Sequence, residues 1–242
     1  MRGIIFMVCI GIVVGMSSAK KKPARVLVFS KTAGFHHSSI PAGIKAIQKL
    51  GAENGFEVDT TTNATWFTAD RLKGYGVVIF LSTTGDVLNA EQQKAFESYI
   101  QKGGGYVGVH AAADTEYEWP WYNKLVGAYF LNHPGNPNVR EATIDVKVGD
   151  HVSTVGLPAR WQRTDEWYNY KSINPAITVL ATLDETTYAG GQNGPNHPIA
   201  WYHAYDGGRA FYTGGGHTDE SFSEPLFVKH LLGGITYALN RK

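Results

Sequence analysis

The strongest constraint on the fold lies between residues 25 and 110, where short continuous apolar runs take turns with longer stretches of helical periodicity. "RVLVFS" (25–30) and "GVVIFLS" (76–82) are apolar runs without polar alternation, the pattern of strands covered on both faces. Between them, "SIPAGIKAIQKLGAENG" (39–55) carries Ile40, Ile44, Ile47 and Leu50 on one helical stripe. Pro41 falls in the first turn, where a missing N–H costs nothing. "FEVDTTT" follows as a strand, "AEQQKAFESYIQKG" (90–103) as a helix closing on glycines, and "GYVGVH" (105–110) as the next strand. Such alternation predicts an α/β fold of three layers, with a mostly parallel sheet between helices.

The second half is less regular. "ATIDVKV", "AITVLATL", "PIAWYHA" and "RAFYTGG" read as strands, and "EPLFVKHLLGGITYALNRK" (224–242) as a long helix with a glycine pair inside it. Residues 115–140 and 184–197, rich in Asn, Gly, Pro and aromatics, read as surface loops that wall a site. The chain has 242 residues, 43% of them hydrophobic, and shows no repeat or composition break, so one domain over 25–242 is expected. Ahead of it, residues 1–19 have an early arginine, an apolar run from Ile4 to Val14, and Ser17 and Ala19 at small-residue positions. This is the pattern of a cleaved secretory signal, the run being short for a bilayer span, and residues 20–24 form a basic leader. The expected location is periplasmic or extracellular, with no membrane span once the signal is removed.

Two function classes are excluded early. Cys9, inside the signal, is the chain's single cysteine, so neither a disulfide framework nor a thiol nucleophile is available to the mature protein. Removing Arg2 takes the 22 basic residues to 21, equal to the 21 acidic ones, and that balance offers no phosphate-binding face for nucleic acid.

In a parallel sheet, ligands gather outside the carboxyl ends of the strands. The polar residues that follow each strand candidate are therefore the ones to weigh. "KTAGFHHSSI" supplies His36 and His37, "GVHAAADT" supplies His110 and Asp114, "RTDEWYNY" supplies Asp165 and Glu166 among Trp167 and Tyr168, and "YTGGGHTDE" supplies His217. Three glycines before His217 suit close backbone approach. Tyr117, Trp119, Trp121 and Tyr122 fit either a sugar-stacking platform or packing beneath a loop, and packing is the commoner use of such residues. His151, His203 and His230 read as structural.

With those stretches in view, and with "NHP" at 132–134, the chain resembles the ThuA-like (trehalose-utilisation) family within the flavodoxin-like, class I glutamine-amidotransferase-like fold. The resemblance runs from about Arg25 to the C-terminus. By motif it carries over to His37, His110, Asp114, His133, Glu166 and His217, with His36–His37 standing where the family usually has an Arg–His pair. It implies that His110 occupies the elbow position where amidotransferases carry their cysteine, so glutaminase chemistry is not expected. It also implies a role in carbohydrate metabolism.

The reading that follows is an exported enzyme acting on a disaccharide, a glycoside or its 3-keto derivative. Its catalytic residues would be His110, Glu166, His217 and Asp114, with His110 or Glu166 as base, His217 as acid and Asp114 orienting an imidazole. His37, His133, Asp165, Trp167 and Tyr168 would bind substrate. No cofactor is demanded, but His37, His110 and His217 would also hold zinc or another divalent ion, although no H-x-x-x-H or H-E-x-x-H spacing is present. The alternatives are a non-catalytic carbohydrate-binding or sensing domain and a partner subunit of an exported oxidoreductase.

Overall fold

In the computed structural model, which describes residues 22–240, the apolar runs of the first half become strands and the periodic stretches become helices. They are β1 (Ala24–Phe29), α1 (Ile40–Asn54), β2 (Phe56–Thr61), a short α2 (Ala69–Leu72), β3 (Val77–Leu81), α3 (Ala90–Gln101) and β4 (Gly105–Val109). Helix α1 carries its proline in the first turn and stops at Gly55, whose φ of 68° is left-handed. Helix α3 begins on a reciprocal pair of hydrogen bonds between Asn89 and Gln92. After β4 come α4 (Pro120–Val126), β5 (Tyr129–Asn132), β6 (Val139–Val146), β7 (Arg160–Glu166), β8 (Asn169–Lys171), β9 (Thr178–Asp184), β10 (Pro198–Tyr205), β11 (Gly208–Thr213) and α5 (Pro225–Ala238). The expected signal peptide, Cys9 included, lies outside the described residues. Among those that are described, no helix is long and apolar enough to cross a membrane.

Nine strands form one sheet in the order β2-β1-β3-β4-β11-β10-β9-β6-β7, while β5 and β8 pair separately. The first five are parallel, and the rest pair antiparallel. Because antiparallel steps alternate direction, β9 and β7 point the same way as the parallel group, and only β10 and β6 oppose it. One face of the sheet presents Phe80 and Tyr106 to Phe96 of α3, and the other presents Leu81 to α1 and Phe211 to α5. The core is therefore sandwiched on both sides.

Two features of the sheet position the site. The register sets Val109 opposite both Leu81 and Thr213, so the residues that follow β3, β4 and β11 emerge together at one edge. The second is curvature. Strand β7 lies four places from β11, about 20 Å in a flat sheet at the usual strand spacing, yet the Gly216 N–H donates to Asp165 Oδ2 at 2.8 Å. The antiparallel strands must curl back over the parallel edge, and a break in the β9–β10 register between Pro198 and Trp201 supplies the local bend.

Residues 115–140 are not a plain surface loop, because they contain α4 and β5. Trp119 and Tyr122 are buried and Tyr117 and Trp121 half-buried, stacked on one another and on the core, so these aromatics pack rather than form an open platform.

Candidate functional site

Strand β4 ends in an abrupt turn. His110 has φ 50°, a left-handed conformation that costs a non-glycine residue of order 1–3 kcal/mol and persists only when its surroundings enforce it. The enforcement is visible. The Tyr212 hydroxyl donates to the His110 carbonyl at 2.7 Å, and Ala111, Ala112 and Ala113 are fully buried in the short 3-10 turn that follows. Gly108 is needed two residues earlier, since a Cβ there would come within 2.9 Å of Tyr212 and 3.2 Å of the Ala112 methyl. The turn explains why small residues flank the histidine on both sides.

The fixed turn aims one imidazole edge at a common point. His110 Nδ1–H donates to the Gly214 carbonyl at 2.9 Å, which leaves Nε2 with its lone pair facing inward. There it lies 3.3 Å from His217 Nδ1 and 3.3 Å from Glu166 Oε2, and the last two atoms are 3.0 Å apart. His37, on the loop after β1, completes the group with ring-centre distances of 4.8 Å to His110 and 5.2 Å to His217. One ligand atom from each of His37, His110, Glu166 and His217 lies within 4.8 Å of all the others. His110 is wholly buried, as His37 and Glu166 nearly are, so the cluster meets solvent chiefly at half-buried His217.

The electrostatics follow from that crowding. Burial, with His110 and His217 adding to it, pushes the His37 imidazole down to about 3, so it is neutral, and its buried Nδ1 has no hydrogen-bond partner. Burial opposes ionisation of Glu166, but the His110 and His217 rings beside it and the hydrogen bond from the Asn138 amide outweigh it and hold the carboxyl far below its usual range. His217 is also penalised by burial, yet its hydrogen bond to Glu166 and the charges of Glu166 and Asp165 raise it above the ordinary imidazole value. Atoms bearing lone pairs at such separations repel unless a proton or a cation sits among them. Ligands of a tetrahedral zinc ion, each about 2.0–2.1 Å from it, lie about 3.3–3.4 Å apart, close to the separations found here. Three imidazoles and a carboxylate, one imidazole pinned through its second nitrogen to a carbonyl, make a donor set that fits a divalent transition metal.

The remaining sequence candidates divide between the rim and the support. His133, with its side chain 37% exposed, reaches Glu166 Oε1 at 3.5 Å from the rim. Tyr168 is buried, its ring 4.3 Å from that of His110. Asp114 was expected to orient an imidazole, but its Oδ1 accepts from the Tyr117 hydroxyl at 2.6 Å, and the group that orients His110 is the Gly214 carbonyl. Burial raises the Asp114 carboxyl, outweighing the hydrogen bond from Tyr117 and the nearby His110, Lys171 and His133, all of which pull it down.

Asp165 and Trp167 were expected to touch substrate. The structure places them behind the cluster instead. Trp167 is fully buried and donates to the Arg140 carbonyl. Asp165, fully buried, accepts from the N–H groups of Glu166, Gly216 and His217, from the Ser221 hydroxyl and from Arg163, so it orders both chain segments that deliver cluster residues. Gly215 is glycine because a Cβ there would overlap Arg163, itself held by Glu224 and Ser221. Sequence reasoning missed Asn138, which donates to Glu166 Oε1 at 2.6 Å. Nothing in the sequence separates it from Asn132 and Asn136 nearby.

Comparison with known proteins agrees with this architecture. A family profile described as trehalose utilisation (ThuA) matches residues 25–238. Among solved structures, a ThuA-like protein from Bacteroides uniformis is 26% identical with a TM-score of 0.77, the match covering 91% of this chain and 93% of that one. A second, from Parabacteroides merdae, is 20% identical with a TM-score of 0.70 and covers 91% of each chain. A β-galactosidase from Bacillus circulans shares the fold over 90% of this chain but only 31% of its own, at 13% identity and a TM-score of 0.58. No protein of curated description matches the chain.

Proposed function

The chain belongs to the ThuA, or trehalose-utilisation, family, and from that premise we propose that it is an exported enzyme acting on a disaccharide, a glycoside or its 3-keto derivative at a metal centre formed by His37, His110, Glu166 and His217. The observation that carries this reading is the convergence of four ligand atoms within 4.8 Å, delivered by four separate parts of the chain. A bound divalent ion would supply Lewis acidity toward a sugar carbonyl or hydroxyl.

The protein's own groups do the rest. The Gly214 carbonyl keeps the proton of His110 on Nδ1, and the Asn138 amide holds Glu166 from behind. With both imidazole and carboxylate committed as ligands, proton transfer falls to Asp114 and His133. Asp114, raised by burial, is suited to take a proton from the carbon beside a 3-keto group and later release it. His133, at the rim beside Glu166, would protonate a departing glycosidic oxygen. In a 3-keto glycoside this pair would remove the C2 proton as the C1–O bond breaks and the aglycone oxygen takes up a proton, so that an unsaturated keto-sugar and an alcohol are formed.

The test has two parts. Protein purified without a histidine tag should contain one divalent ion per chain by elemental analysis. Incubated with trehalose, glucosides and their 3-keto forms, it should convert at least one of them and lose that activity on chelation. Binding without any product would instead mark a carbohydrate-binding module, and neither binding nor turnover would end the reading. Export is checked by N-terminal sequencing of the protein recovered from cells, which should begin at Lys20; a retained Met1 would contradict it.

A further inference from the structure

We propose that Phe35 is a stacking platform that selects a second sugar ring, so that the preferred ligand is a glycoside of two or more rings rather than a monosaccharide. This rests on the carbohydrate reading of the site given above.

Among the described residues Phe35 is the one exposed aromatic side chain, 65% accessible, while every other phenylalanine, tyrosine and tryptophan is buried or half-buried. A lone exposed apolar side chain is ordinary on a protein surface. What sets this one apart is where it stands and how firmly it is held. Its ring meets His37 edge-on, with centres 4.8 Å apart and planes at 80°, and His37 in turn lies 4.8 Å from His110. The phenyl ring is thus separated from the centre of the cluster by a single imidazole.

The loop that carries it is pinned to the neighbouring strand end. Ala33 N–H donates to the Thr84 carbonyl at 2.7 Å, Gly34 N–H reaches Thr84 Oγ1 at 3.2 Å, and that hydroxyl donates to the Phe35 carbonyl at 2.9 Å. A bridge between Thr32 and Thr84 fixes the same segment. The backbone that presents the ring is therefore tied to Thr84 on both sides of Gly34. Its exposed sequence neighbours are Ala33, Gly34, His36 and Ser38, none with a large apolar side chain, which limits the apolar patch to about one ring and suits a sugar rather than a protein surface. The C–H face of a pyranose packs on such a ring by dispersion and weak C–H contacts, while hydroxyls remain for polar neighbours.

The experiment compares the wild type with Phe35→Ala and Phe35→Trp on a disaccharide and on the matching monosaccharide, by steady-state kinetics and by calorimetric binding. Phe35→Ala should raise KM and Kd for the disaccharide about tenfold, equivalent to about 1.4 kcal/mol, with kcat and the monosaccharide constants within about twofold of wild type. Phe35→Trp should restore disaccharide affinity. If the wild type converts the disaccharide and Phe35→Ala does so with the same KM, the platform is refuted and the proposed function stands. Equal losses on both sugars would show that Phe35 merely supports His37, which also refutes it. If the wild type neither binds nor converts either sugar, the reading of the site fails and this inference falls with it.

Discussion

His110 and Glu166 lie 3.3 Å apart, but each is held by a different kind of force. His110 stands at the end of β4, a strand buried at every position and paired in register with β3 and β11. Its placement follows from burial of apolar surface on both faces of a parallel sheet. Glu166 stands at the end of β7, which alternates exposed and buried residues along most of its length and forms the edge of the sheet. What fixes it is a polar knot: Arg163 bonded to Glu224 and Ser221, and Asp165 bonded to Gly216, His217 and Ser221. The parallel half builds a shelf, and the curled half is tied down onto it.

That contrast can be broken most forcefully at Asp165. Asp165→Ala removes the shared acceptor of the Glu166, Gly216 and His217 N–H groups and leaves buried Arg163 with Glu224 as its one anionic partner, and should cost about 3–5 kcal/mol. Any folded fraction should have lost metal affinity, because the segments bearing Glu166 and His217 come loose together. Asp165→Asn, which keeps the shape, should fold more readily and still bind metal weakly. Leu81→Ala, in the shelf, should cost a comparable about 2–5 kcal/mol, yet the protein that remains folded should bind metal and turn over at the wild-type rate. Thermal melts paired with metal titration distinguish the two variants. Equal metal affinity after correction for folding would dissolve the contrast.

A smaller effect is expected at the junction of the halves. Gly214→Ala would drive a methyl within 2.5 Å of the Tyr170 hydroxyl and the Ile199 side chain, shifting the carbonyl that holds His110. The expected cost is about 1–3 kcal/mol, with a larger proportional loss in metal affinity than in stability. Unchanged affinity would mean that His110 needs no support from the Gly214 carbonyl.

The smallest effect belongs to Asp114. Its carboxyl is raised in the folded state, so its ionisation opposes folding: stability is fully present below the unfolded value of 3.8 and falls as pH rises through the folded value. Asp114→Asn should therefore melt slightly above wild type at pH 7, with the difference closing below pH 3.8, and should be inactive. A variant that is active, or one less stable than wild type at pH 7, would remove Asp114 from the proton-transfer role.

The same contrast governs what could be read from the sequence. The shelf was legible because its information is local: "RVLVFS", "GVVIFLS" and "GYVGVH" each announce a buried strand, and His37 and His110 follow from what comes after them. His217 was legible through its three glycines. The roles of Asp165 and Trp167 were not, because whether a carboxylate faces ligand or ties two segments together depends on partners such as Gly216, 51 positions away. Asn138 was hidden for the same reason. The curl that brings β7 over the site depends on a register break between β9 and β10, which no short pattern in either strand signals.

Whether the strand ends gather three imidazoles and a carboxylate into one cation site is decided by anomalous X-ray diffraction from crystals of tag-free protein grown with zinc. A single strong peak bounded by His37, His110, Glu166 and His217 is expected. A difference map with no peak among those four side chains, at a zinc concentration that populates other surface sites, would contradict it.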